Sequence, residues 1–100
     1  DKCDIVRWAA VLNITDQDVL EQVAKTDNSK DVSRAAVLLL SDHAVLERIA
    51  KKDKSGYVRE AAARRITDTT LLAHIAKSDK SDLVRGNAVT RLYWLGEKNK

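Results

Sequence analysis

Residues 66–91 read ITDTTLLAHIAKSDKSDLVRGNAVTR, and the same frame occurs twice upstream at a constant offset of 26 residues. Ile14-Thr15-Asp16, Leu40-Ser41-Asp42 and Ile66-Thr67-Asp68 open the three copies, and each copy carries Ala-Lys, an Asp, a Ser and a Val in matching places. Self-similarity at this period marks a stacked array of small units, none of which can bury its own apolar face. The frame is [Leu/Ile]-[Thr/Ser]-Asp-x-x-[Val/Leu]-Leu-x-x-[Val/Ile]-Ala-Lys-x-Asp-[Lys/Asn]-Ser-x-x-Val-x-x-[Ala/Asn]-Ala. It sets one domain over 1–100: a half repeat at 1–13, repeats at 14–39, 40–65 and 66–91, and a C-terminal cap at 92–100.

Two helices fit into each unit. In the first, Val19-Leu20 and Val23-Ala24, then Val45-Leu46 and Ile49-Ala50, then Leu71-Leu72 and Ile75-Ala76, fall on one helical face. Asp16, Asp42 and Asp68 supply side-chain oxygens for the free amides at its start, and Lys25, Lys51 and Lys77 suit the negative end of its dipole. The second helix buries Val32, Ala35, Ala36 and Leu40, then Val58, Ala61, Ala62 and Ile66, then Val84, Ala88 and Leu92, with Ser29, Ser55 and Ser81 as N-caps. Val6, Ala9, Ala10 and Ile14 place the half repeat in the same core columns. Helices of about ten residues are marginal alone in water, so packing on neighbouring units must hold them.

The composition agrees with short, closely packed helices. There is no Phe, Met or Pro, and Ala, Val, Leu and Ile carry nearly all the apolar content. One third of the 100 residues are charged with both signs intermixed, leaving a net +3 that is weak support for nucleic acid. The single cysteine, Cys3, excludes an internal disulfide framework and any multi-cysteine zinc site. No apolar run approaches the roughly 20 residues of a membrane span, so no membrane association and a cytoplasmic location are expected. The chain opens in mid-repeat at Asp1-Lys2-Cys3 without an initiator Met, which reads as part of a longer array.

These columns resemble the HEAT-like α-solenoids, and within them the leucine-rich-repeat variant type. Asp4-Ile5-Val6-Arg7-Trp8-Ala9-Ala10-Val11, Tyr57-Val58-Arg59-Glu60-Ala61-Ala62 and Leu83-Val84-Arg85-Gly86-Asn87-Ala88 are similar to that family's Val-Arg-x-Ala-[Val/Ala] signature, and residues 71–76 to its other helix. The resemblance implies an all-α right-handed α-α superhelix of about seven short helices, three full repeats with flanking partial ones. It also implies a ladder between the loop residues Asp1, Asp27, Asp53 and Asp79 and the signature residues Arg7, Arg59 and Arg85, interrupted at Ser33. The prolines typical of the variant type are missing, which favours two ordinary α-helices per unit.

No catalytic, metal or cofactor site emerges. His43 and His74 fall in different variable columns, and a zinc site needs several converging ligands. The Asp residues recur at cap and loop positions, which explains them structurally, and Gly56, Gly86 and Gly96 are isolated rather than a phosphate loop. Function is therefore sought where the frame varies. The columns through Ile5, Trp8 and Leu12 become Asp31, Arg34 and Leu38, then Tyr57, Glu60 and Arg64, then Leu83, Gly86 and Thr90. They point to a non-catalytic protein-binding scaffold using Trp8, Arg34, Tyr57, Glu60 and Arg64, with an unidentified protein as partner. Two readings of Ile5, Trp8 and Leu12 stay open, an exposed binding stripe or packing on an upstream unit. Lys51, Lys52, Lys54, Arg59, Arg64, Arg65, Arg85 and Arg91 support the alternative of a nucleic-acid-binding module, similar only in general architecture to HEAT-like alkylpurine DNA glycosylases. A purely architectural segment is the third reading. Tyr93 and Trp94 replace the Thr-Asp of a further unit, and Trp94 is expected to cover the last core layer.

Overall fold

Asp16, Asp42 and Asp68 each begin a helix by the same contact. Their carboxylates accept the amides two and three residues on, Asp18 and Val19, Ala44 and Val45, Thr70 and Leu71, at 2.9–3.4 Å. At the far end Asp27, Asp53 and Asp79 leave the helix in extended backbone, and each carboxylate accepts the amide of Ser29, Ser55 or Ser81 at 2.8–2.9 Å. That Asx turn leads straight into the next helix. The reversal needs no left-handed residue, and none occurs among the described residues.

The structure, a computed structural model, describes residues 3–98. Within them lie seven α-helices and no strand: α1 (Asp4–Val11), α2 (Gln17–Thr26), α3 (Lys30–Leu39), α4 (His43–Lys52), α5 (Gly56–Ala63), α6 (Thr69–Ser78) and α7 (Asp82–Lys98). Starts at 4, 30, 56 and 82, and at 17, 43 and 69, keep the 26-residue spacing. Helix α2 packs on α3, α4 on α5 and α6 on α7, while α1, α3, α5 and α7 pack each on the next. The body measures 44 × 26 × 19 Å.

Leu20, Leu46 and Leu72 from the even-numbered helices meet Val32, Val58 and Val84 from the odd-numbered ones, all essentially removed from water. Each such leucine contributes about 1.5–3 kcal/mol by burial. Ala36, Ala62 and Ala88 are fully buried in one column, and their small side chains let neighbouring helix axes approach.

Three sequence expectations change at the ends. Val6, Ala9 and Ala10 occupy core columns yet are exposed, because α1 packs chiefly on α3 and no described helix lies on its other side. The boundary expected at 92 falls inside α7, which runs unbroken for 17 residues and is not a short helix. Tyr93 and Trp94 offer no capping oxygen where Thr-Asp stands elsewhere, so nothing starts a new helix there. Leu92 and Leu95 close the core instead of Trp94, which is half-exposed with the Arg91 guanidinium 4.9 Å and the Lys98 ammonium 5.3 Å from its ring centre.

Candidate functional site

The second-helix signature builds a ladder with a definite register. Arg7 on α1 donates through Nε and Nη2 to both oxygens of Asp27, at 3.0 and 3.2 Å, and Arg59 on α5 does the same to Asp79 at 2.9 and 3.1 Å. Arg7 and Arg59 thus reach the loop one unit ahead, while Arg59 and Arg85 hold their own loops through the backbone: Arg59 Nη1 donates to the Asp53 carbonyl at 2.7 Å and Arg85 Nη1 to the Asp79 carbonyl at 2.6 Å. Burial pushes the Asp27 and Asp79 carboxyls up, but the guanidinium hydrogen bonds of Arg7 and Arg59, with the amides of Ser29 and Ser81, hold both below the usual carboxylate range. The hydrogen bond to Asp27 raises Arg7 above its ordinary value.

Other expected rungs differ. The guanidinium of Arg85 meets Asp82, on its own helix, rather than a loop carboxylate, and Asp79 is already taken by Arg59. At Ser33 the hydroxyl donates to the Asp27 carbonyl at 3.2 Å but is too short to reach Asp53. Among the described residues Asp53 accepts only the Ser55 amide on its carboxylate. Asp1 lies outside the described residues.

The variable face opens a groove of about 580 Å³ between α1 and α3. Ile5, Trp8 and Leu12 form one wall, Ala35, Leu38 and Leu39 the other, and Asp4, Asp31 and Arg34 supply its charge. Ile5 is 73% exposed, Trp8 43%, Leu12 48% and Leu38 61%, so the stripe faces open space over the groove. Leu39 lies outside the columns singled out from sequence; the run Val37-Leu38-Leu39-Leu40, more apolar than the frame requires, was the signal for it.

The remaining candidates divide. Glu60, expected as a contact residue, is buried, with its carboxylate between the Arg34 guanidinium at 3.8 Å and the Nε of Arg64. It is a structural anchor for two arginines, not a surface group. Arg64 is 61% exposed and Tyr57 46%, the latter with the Lys30 ammonium 4.1 Å from its ring centre. Arg34 is shared between the groove and the Glu60 cluster, while Tyr57 does not line the groove.

The structural roles of three residues were not read from the sequence, which offered Arg65 and Arg91 only as candidate nucleic-acid contacts. Arg65 donates to the Val37 and Leu40 carbonyls at the end of α3, and Arg91 to the Ile66 carbonyl at 2.9 Å beyond α5. They stand 26 residues apart, a recurrence that marks a structural role. Gln17 spans the same turn after α3, donating to the Leu39 carbonyl and accepting the Ser41 amide at 2.8 Å. Among the described residues no three His, Cys, Asp or Glu side chains converge as for a metal, and no helix is long and apolar enough to cross a membrane. Comparison with protein-family models, with curated proteins and with solved structures returns no match.

Proposed function

We propose that this chain is a segment of a right-handed HEAT-like solenoid that serves as a non-catalytic protein-interaction scaffold, with a partner seated on the second-helix face. The observation that carries the proposal is the open apolar groove between α1 and α3, walled by Ile5, Trp8, Leu12 and Leu38 with Arg34 beside it. An aromatic side chain in a concave apolar surface with an adjacent arginine is the composition of an interface hot spot. The repeated packing of α1, α3, α5 and α7 and the forward-reaching Arg–Asp links support the solenoid. The nucleic-acid reading has less support, because Arg59, Arg65, Arg85 and Arg91 all donate to backbone carbonyls and Arg64 meets Glu60.

Peptides selected from a random library on the immobilised chain test this reading by fluorescence anisotropy. Trp8→Ala and Leu38→Ser each weaken the selected peptides by about tenfold or more, the loss typical of a central anchor, while the melting temperature is retained. Peptides that bind both variants as tightly as the parent, or no selectable binder at all, reject the groove as the site.

A further inference from the structure

We infer that the interruption of the ladder at Ser33 leaves a receptor for a guanidinium group supplied from outside the chain. The chain itself provides the template. A complete link joins the carbonyl of one loop aspartate to the carboxylate of the next, as Arg59 joins the Asp53 carbonyl to the Asp79 carboxylate. The equivalent link between Asp27 and Asp53 has Ser33 where the arginine would stand. Ser33 satisfies the Asp27 carbonyl, and among the described residues no cation lies within ion-pairing distance of the Asp53 carboxylate.

The missing side chain leaves space. A pocket of about 160 Å³ is lined by Asp27, Ser33, Asp53 and Ser55, with Ala24 and Val58 as apolar walls. One water needs roughly 10–15 Å³ by this kind of measure, so the pocket holds far more than a single solvent molecule. Lys25, Lys30 and Lys54 also border it, but Lys25 is paired with Glu21 at 3.3 Å and Lys30 sits over the Tyr57 ring. Lys54 stands one residue after Asp53, as Lys80 stands after Asp79, where Arg59 binds all the same. A planar guanidinium pairs with a carboxylate through two parallel hydrogen bonds, which an ammonium cannot reproduce. The recognised chemistry is thus a guanidinium, carried either by a small free cation or by an arginine side chain of a partner. The pocket is separate from the α1/α3 groove, so its fate does not decide that of the groove.

Amide NMR titration of the whole chain with guanidinium chloride, up to about 20 mM where denaturation is negligible, tests the receptor against sodium chloride at equal ionic strength. Saturable shifts are expected at the amides of Ser33, Ser55 and Val58, with an affinity on the order of millimolar for a few charge-assisted hydrogen bonds. Asp53→Asn keeps an acceptor for the Ser55 amide but removes the charge, and weakens the response by about tenfold or more. Ser33→Arg fills the pocket from within and abolishes the response while raising the melting temperature; should that variant not fold, Asp53→Asn alone decides. N-acetyl-arginine amide, with the lysine analogue as control, separates the sources. Shifts from it as well as from guanidinium assign the pocket to a side chain, and shifts from guanidinium alone confine it to a small cation. Shifts matched by sodium chloride, or undiminished in Asp53→Asn, overturn the inference.

Discussion

Asp53 and Asp79 hold the same position in successive units, yet their surroundings differ by one arginine. Asp79 shares a nearly buried bidentate pair with Arg59, whose side chains are 8% and 5% exposed, whereas among the described residues Asp53 binds only the Ser55 amide on its carboxylate. Removing one member of a buried pair leaves an uncompensated charge, so Asp79→Asn costs about 3 kcal/mol. Asp53→Asn, which still accepts the Ser55 amide, costs about 1 kcal/mol or less. Urea unfolding of the two variants checks the contrast, and equal losses would falsify the structural role assigned to the pair. Because Asp27 and Asp79 are held below the usual range, the folded chain keeps them ionised to lower pH than the unfolded chain does. Their contribution is fully present above the unfolded value of about 3.9 and is lost as pH falls through the lower folded value. The acid limb of melting temperature against pH therefore flattens in an Asp27→Asn/Asp79→Asn variant below about pH 4, and a limb parallel to the parent's would place the acid sensitivity elsewhere. The Arg and Asp columns can be read from the sequence, but not which unit's Asp an arginine reaches, since that depends on how far adjacent helices are displaced. Glu60 was legible only as a departure from the frame. Its burial and its contacts with Arg34 and Arg64 depend on how α3 and α5 pack, which the sequence does not show.

At the scale of the element, starts were more legible than stops. An aspartate or serine before an apolar periodic run announces a helix start through a contact confined to three residues, and such local chemistry needs no knowledge of the fold. The caps are not equal, however. Asp42 accepts both Ala44 and Val45 amides, whereas Ser55 sits at the N-cap of α5 without a side-chain bond to it. Asp42→Ala is expected to cost about 1 kcal/mol and Ser55→Ala a few tenths, a difference readable from the midpoints of thermal melts; a costlier Ser55→Ala would show that cap geometry is not what holds α5. The length of α7 was not legible, because a missing start signal at Tyr93-Trp94 reads equally as the end of helix or as its continuation. Leu92 and Leu95 decide it by packing on the core, a tertiary effect.

For the whole molecule, the constant columns explained the core, and the variable ones left a face whose shape they could not supply. The groove exists because Trp8 and Leu38, in different helices, stand apart with nothing described between them, which only the spacing of α1 and α3 reveals. The same nearest-neighbour arrangement has a consequence in time. Each helix packs on elements one or two places away in the sequence, so loop closure during folding spans only short stretches of chain. With no proline among its 100 residues, the chain also carries no prolyl bond to isomerise. Stopped-flow refolding from urea is expected to finish within about milliseconds, with no phase of tens of seconds, so the core leucines Leu20, Leu46 and Leu72 are withdrawn from water before they have long to meet another chain.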